Sequence, residues 1–321
     1  MYAFAVEAFG EPPALRELPA PEPGPGEVLI KVRAASVNPI DWKIAAGQLA
    51  RPDVTFTFPL VLGFDVAGQV TAAGEGAPFQ VGAEVFGMRR PATIAAHPYG
   101  SYAPYMTASL ESAALAERPE ELDALSAAAL PMTGGTALAL TRWLDPREGE
   151  SLLVVGAAGG VGSYVVQLAA ARGARVVAVA AGQDHDYVRA LGAAEVVDYR
   201  TADVADAVRA GHPDGVDAAL DLVDGRDLVA GRIAPLLRDG GRLASTLFAA
   251  DPDALAARGV RAVNFNYDAT VSDMEELARL VTSGRLRVAE TTTYPFSAMG
   301  EVYADSTAGH VRGKLTVTTE E

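Results

Sequence analysis

Ser151-Leu-Leu-Val-Val-Gly156-Ala-Ala-Gly159-Gly160-Val-Gly162-Ser-Tyr-Val-Val-Gln-Leu168 is the stretch from which the fold can be read. An apolar run of strand length meets a glycine-rich turn, and the turn opens directly into apolar residues at helical spacing. This is the strand–turn–helix context in which a glycine fingerprint signals dinucleotide binding. Here it reads A-x-G-x-x-G, with Ala157 where the first glycine usually stands. Gly159 lets the backbone approach a pyrophosphate, and Gly162 lets the helix pack close to the strand. The N–H groups from Ala158 through Gly159, Gly160 and Val161 then face the negative charge at the helix start.

A second strand, Arg175-Val-Val-Ala-Val-Ala180, falls where a βαβ unit requires it. Sites specific for NAD carry an Asp or Glu at its end to hold the ribose hydroxyls. This chain has Ala180-Ala181-Gly182-Gln183 there, small residues that leave room for a 2′-phosphate. The expected cofactor is therefore NADPH (NADP), although the turn holds no Lys or Arg. Further short apolar strands follow at Val196–Tyr199, Val216–Val223 and Gly240–Ser245, with helical stretches between them. That alternation predicts a parallel sheet covered on both faces.

Upstream, Val37-Asn-Pro-Ile-Asp-Trp-Lys43, Pro59-Leu-Val-Leu-Gly-Phe-Asp-Val-Ala-Gly68 and Gly100-Ser-Tyr-Ala103 belong to a different, β-rich region. With Leu130-Pro-Met-Thr-Gly-Gly-Thr136-Ala, Gly156–Gly162, Leu191-Gly-Ala-Ala-Glu-Val-Val-Asp-Tyr199 and Gly309-His-Val-Arg-Gly-Lys314 they make seven collinear segments. Together they resemble the zinc-independent quinone oxidoreductase (zeta-crystallin-like) branch of the medium-chain dehydrogenase/reductase superfamily. The resemblance implies an α/β fold: a Rossmann-type doubly wound parallel sheet inserted in a β-rich GroES-like catalytic domain, with the active cleft between them. The expected division is a catalytic domain over residues 1–123, a nucleotide domain over 124–267 and a return to the first over 268–321. Ala124–Leu130 is then the first helix of the nucleotide domain.

Composition narrows the chemistry. A chain of 321 residues suits two domains better than one. No apolar stretch is long enough to cross a membrane, and no signal peptide is legible, so the cytoplasm is the expected compartment. A net charge of −15 argues against nucleic acid as a partner. There is no cysteine, which removes the two Cys that the superfamily's alcohol dehydrogenases place on catalytic zinc and the four on structural zinc. Where those enzymes carry a ligand His and its following Glu, this chain has Gly63-Phe64-Asp65. His97, His185, His212 and His310 sit among polar and turn residues and are expected at the solvated surface, so no metal site is expected.

Without a metal, activation of a carbonyl oxygen falls to hydrogen bonds or a proton donor. The resemblance places the Asn38–Lys43 segment beside nicotinamide and substrate. Asn38 is the first candidate: its amide holds the nicotinamide ribose or polarises an oxygen, unless Asn-Pro merely ends a strand. Asp41 is a second candidate, equally readable with Lys43 as a solvated pair. The family's cleft tyrosine is replaced by Gln48, which donates a hydrogen bond but no phenolic proton. Tyr102 and Tyr105 are either substitutes for it or packing. For the cofactor, Thr136 is read as a neighbour of the nicotinamide ribose or as a helix N-cap. Tyr199 is read as an adenosine contact or core, and Lys314 as a basic residue reaching the cofactor or a surface lysine. Only Lys31, Lys43 and Lys314 are lysines among 26 basic residues, which favours a role for the last. Asp221 is read as capping a sheet end.

The expected reaction is hydride transfer from NADPH to a quinone, enone or related α,β-unsaturated carbonyl. The alternatives are a pathway-specific biosynthetic reductase or a non-catalytic NADPH-binding protein. A small-molecule substrate and a homodimer paired through Gly259–Asn266 complete the expectations.

Overall fold

The computed structural model describes residues 1–50 and 53–319. It divides into two compact units, Met1–Gly135 with Asp268–Glu321, and Thr136–Tyr267. The second unit is thus inserted, in sequence, into the first.

The first unit begins with β1 (Tyr2–Val6), β2 (Ala14–Glu17) and β3 (Val28–Val37), followed by helix α1 (Pro39–Ala45). It continues through β4 (Leu60–Val61), β5 (Asp65–Ala73), β6 (Glu84–Arg89), β7 (Tyr105–Ala108) and β8 (Ala113–Glu117) to a short helix α2 (Ala124–Ala128). Strand β3 is ten residues long and pairs antiparallel with both β5 and β7. It shifts register twice against β5, at Leu29/Ile30 and Val32/Ala34. Such bulges add twist and curl a sheet into a barrel-like form. Alternation along β3 sends Val28, Ile30 and Val32 into an apolar cluster with Val66, Val85 and Leu115.

The boundary expected after residue 123 moves twelve residues downstream, to Gly135. Helix α2 packs on β3, β5 and β6, so it belongs to the first unit rather than opening the second. The next helix, α3 (Pro131–Leu144), carries the chain from one unit into the other.

The inserted unit alternates β9 (Ser151–Val155), α4 (Gly160–Ala170), β10 (Arg175–Ala180), α5 (His185–Ala190), β11 (Glu195–Asp198), α6 (Val204–Gly211) and β12 (Val216–Asp221). Then come α7 (Arg226–Leu228), β13 (Leu237–Ser245), α8 (Pro252–Ala256) and β14 (Arg261–Asn264). All six strands are parallel, in the order β11-β10-β9-β12-β13-β14. This is the doubly wound order whose direction reverses between β9 and β12. Every residue of β9 is buried, as expected of a central parallel strand covered on both faces. Truncating Leu153 there to Ala costs about 2–5 kcal/mol.

After this unit the chain returns through α9 (Val271–Thr282), β15 (Thr291–Pro295), α10 (Met299–Ala308) and β16 (Lys314–Thr318). Strand β16 pairs parallel with β15 and antiparallel with β3, so the last strand joins the larger sheet of the first unit through β3. No helix among the described residues is long and apolar enough to cross a membrane.

Candidate functional site

In the first unit the sequence candidates converge on a buried ionic network. Asn38 ends the extended run of β3, and Pro39 opens α1 with φ already set for a helix. Three residues on, Asp41 folds back to accept the Asn38 N–H at 2.8 Å, one half of a capping box. The same carboxylate accepts the Tyr102 hydroxyl at 2.7 Å and the Gly63 N–H at 3.1 Å. Asp65, the first residue of β5, accepts from Ser36 Oγ at 2.6 Å, Asn38 Nδ2 at 2.9 Å and the Met132 N–H of α3 at 3.0 Å. Lys314, from β16, donates to the Val37 carbonyl at 2.6 Å and Asn38 Oδ1 at 2.5 Å, and lies 3.8 Å from Asp65. Arg89 completes the charge balance, donating to the carbonyls of Gly63, Val61 and His97.

None of these groups meets water appreciably: Asp41 and Asp65 are 0% exposed and Lys314 is 3%. Burial therefore dominates their titration. It pushes Asp41 up to about 7, against the pull of Tyr102, Asn38 and Lys314. It raises Asp65, opposed chiefly by Lys314, and lowers both Lys314 and Arg89, the latter to about 10. The Tyr102 hydroxyl is pushed well above its ordinary range by burial and by the Asp41 charge.

This geometry revises several expectations. Asn38 has its amide oxygen on Lys314 and its nitrogen on Asp65, and it is 1% exposed. It positions its neighbours rather than offering a free amide to a ligand. Asp41 is no solvated partner of Lys43, and Lys314 is neither a surface lysine nor a free cation; both are buried inside the first unit. Tyr102 is core, but polar core, with its hydroxyl spent on Asp41. Gln48 is exposed beyond α1, its backbone N–H on the Lys43 carbonyl at 2.9 Å. Of the histidines only His310 is exposed; His97, His185 and His212 are half-buried. The network itself was missed because its members are spread from residue 36 to 314, and no local pattern joins them.

Zinc does not fit this donor set. Phe64 and Asp65 stand where the superfamily carries its ligand His and following Glu, the Asp65 oxygens are already taken by three donors, and an ammonium stands beside them. No group of three His, Asp or Glu converges elsewhere among the described residues.

The glycine turn lies in the inserted unit. Gly156 takes φ +86° at the end of β9, and Gly159 caps α4. A methyl group at Gly162 would stand 2.2 Å from the Gly156 carbonyl oxygen, so helix and strand meet as closely as the fingerprint requires. At Gly159 the same methyl group would meet nothing nearer than 3.5 Å. The space beside it is open, and Gly159, Gly160 and Val161 are half-exposed while Ala158 is buried. The first N–H groups of this eleven-residue helix have no partner within the helix and are the groups that would hold a pyrophosphate.

Ala180 and Ala181 are buried at the end of β10. Beside them is a carboxylate that the local sequence did not reveal. Asp198, paired with Ala180 from the neighbouring strand, has Oδ2 2.8 Å from where a Gly182 Cβ would stand and Oδ1 on the Arg200 N–H at 2.9 Å. Tyr199 is exposed rather than core, with the Arg200 guanidinium 5.8 Å over its ring. Thr136 is buried inside α3, well past its first turn, so it is no N-cap. Asp221 is fully buried at the end of β12, where it accepts the N–H groups of Val223 and Asp224 at 3.1 and 2.7 Å.

A doubly wound sheet with a glycine cradle, inserted in a bulged β-domain with a buried ionic network, defines a two-domain dinucleotide-binding oxidoreductase. Residues 24–118 match the alcohol dehydrogenase GroES-like domain, and residues 191–317 match the zinc-binding dehydrogenase family. The chain is 31% identical to the chloroplast envelope quinone oxidoreductase homolog of Arabidopsis thaliana, over 99% of this chain and 98% of the relative. It is 31% identical to that plant's chloroplastic NADPH-dependent alkenal/one oxidoreductase, over 92% of this chain and 73% of the relative. The solved quinone oxidoreductase of Coxiella burnetii superposes with a TM-score of 0.85 at 28% identity, covering 100% and 99% of the two chains. The chain belongs to the quinone oxidoreductase branch of the medium-chain dehydrogenase/reductase superfamily, and it is an oxidoreductase enzyme.

Proposed function

We propose that this enzyme reduces an α,β-unsaturated carbonyl or quinone with NADPH and without zinc. The observation that carries the reading is the pairing of an open glycine cradle with a first unit in which Phe64 replaces a ligand His and Asp65 is tied into a buried ion network. The two Arabidopsis relatives, a quinone oxidoreductase homolog and an NADPH-dependent alkenal/one oxidoreductase, support the acceptor class. When bound, NADPH supplies the hydride. The chain's own part is to hold and orient. The N-terminus of α4 binds the pyrophosphate, and Tyr199 offers a ring to the adenosine. Arg200 is the exposed cation beside it for a 2′-phosphate. Of the three residues first considered for catalysis, Gln48 alone is exposed, and its amide is the donor available to an acceptor oxygen.

NADPH is expected to bind at least tenfold more tightly than NADH in a fluorescence titration. Ala180→Asp, which adds a second carboxylate beside Asp198, is expected to shift the preference toward NADH. A tenfold NADH preference in the unmodified enzyme would overturn the assignment. The reaction itself is checked by following NADPH consumption on a panel of quinones and enones with and without chelator. Chelator-insensitive turnover is the expected result, and tight NADPH binding with no turnover on any acceptor would replace the enzyme by a binding protein.

We propose further that the enzyme is a homodimer paired through β14. This strand is the edge of the six-stranded sheet, and Ala262, Val263 and Asn264 are half-exposed. An apolar edge left bare is an association hazard unless paired or covered, and a two-fold axis would pair it with its own copy. The Phe265 N–H points inward, to the Ser245 carbonyl, so by alternation the N–H groups of Ala262 and Asn264 point outward. Light scattering at micromolar concentration is expected to give twice the chain mass, and Ala262→Pro to give one chain mass by removing an outward donor. A variant that stayed dimeric would place the interface elsewhere.

A further inference from the structure

The carboxyl ends of β12, β13 and β14 carry a row of polar side chains that shapes one loop. Asp221 Oδ2 accepts the Ser245 hydroxyl at 2.8 Å, and both residues are fully buried. Ser245 Oγ in turn receives the N–H groups of Leu247 at 3.1 Å and Ala249 at 3.3 Å. Asn264 grips the far end of the loop, exchanging hydrogen bonds with the Ala250 N–H and carbonyl at 3.0 and 3.1 Å. Between these grips Phe248 sits at φ +57° with 57% of its surface exposed. The left-handed region is an outlier for so bulky a residue, and its ring lies in water. Strain of that kind persists only where the surroundings impose it, and it clusters at functional sites.

Two further apolar residues are exposed after the ends of the adjacent strands β12 and β13. Leu247 is 38% and Val223 is 59% exposed, and Val223 lies against Gly156 of the cradle, its Cγ2 2.7 Å from where a Cβ there would stand. A dinucleotide crosses such a sheet at the β9/β12 reversal. Its adenosine half takes the β10–β11 side, which leaves the β12–β13 side to the nicotinamide half and to whatever receives the hydride. We propose that Phe248 is the specificity-determining residue for the acceptor, presenting its ring to a flat apolar quinone or enone, and that Asp221, Ser245 and Asn264 are its positioning residues. This rests on the reading of the chain as an NADPH-dependent reductase.

The test is binding of 1,4-naphthoquinone to the NADP⁺-saturated enzyme, followed by quenching of protein fluorescence. Phe248→Gly removes the ring and relieves the backbone, since glycine adopts φ +57° freely, so its Tm is expected not to fall. Its naphthoquinone Kd is expected to rise at least tenfold while its NADP⁺ Kd stays within twofold. Ser245→Ala is expected to weaken naphthoquinone as well, and to add nothing in the Phe248→Gly background, because one acts through the other. An unmoved naphthoquinone Kd, absent binding in the unmodified enzyme, or an equal loss of NADP⁺ affinity would overturn the proposal. If enones are turned over while the Kd is unmoved, the role of Phe248 fails and the reductase stands. If the Kd moves but no acceptor is turned over, the reductase fails and the aromatic binding face stands.

Discussion

Lys314→Met is expected to destabilise the first unit by about 3–5 kcal/mol, the usual cost of leaving a buried charge without its partner. Lys314 is the cation nearest Asp65, and Asp65 has no water to turn to. The loss should depend on pH. Burial already raises Asp65 above its ordinary value, with Lys314 the main force holding it down; without the lysine it rises further. A carboxyl whose folded value exceeds its unfolded one binds a proton in the folded state that the unfolded state releases, so stability falls as pH rises through that window. The variant should thus be closer to the parent enzyme at pH 5 than at pH 8, as measured by urea denaturation at both values. Adding Asp65→Asn should recover much of the loss at pH 8, since a neutral amide needs no counter-charge. A pH-independent loss that Asp65→Asn does not rescue would mean that the lysine stem, rather than its charge, matters.

The second large effect belongs to the glycine cradle. Gly162→Ala puts a methyl group 2.2 Å from the Gly156 carbonyl and 2.7 Å from Ala157 Cα, both of them backbone atoms that cannot rotate away. Overpacking of this kind costs about 1–3 kcal/mol. Because the contact lies in the first turn of α4, shifting it to relieve the overlap is expected to weaken NADPH binding as well. Gly159→Ala separates packing from binding. Its φ of −77° suits alanine, and its surroundings are open. It should fold with an unchanged Tm and still bind NADPH at least tenfold more weakly, because its methyl group would occupy the space assigned to the pyrophosphate. Calorimetric titration and thermal melting of the two variants check this; normal NADPH binding by Gly159→Ala would place the pyrophosphate elsewhere.

Local chemistry made the inserted unit legible. The β9 run, the Gly159–Gly162 turn and the alternation down to Ser245 each depend on neighbours a few residues apart, and the strands fall where those patterns put them. The first unit was readable in kind but not in detail. Its ion network joins Ser36, Asn38, Asp41, Asp65, Arg89, Tyr102 and Lys314, mostly residues of types that ordinarily face water when each is seen alone. What decides their burial is that β16 returns to pair with β3, a contact no window contains. The rarity of lysine and the matching Gly309–Lys314 segment both pointed to Lys314, and they marked the residue without revealing its role. Asp198 was overlooked for a similar reason: it faces the β10 turn from an adjacent strand, so its proximity to Gly182 follows from sheet register. Helix α2 went to the wrong unit because its alanines fit either core equally well.

The pairing of β16 with β3 also fixes an order of events during synthesis. The inserted unit is a single stretch, Thr136–Tyr267, whose strands find their partners within it, so it can assemble while the chain is still being made. The first unit cannot. Its two buried carboxylates emerge early, yet the ammonium that answers Asp65 is separated from Asn38 by 276 positions. Until that last strand arrives, Asp65 has to keep its hydration or its proton, and the early β-domain waits half-built for its closing cation.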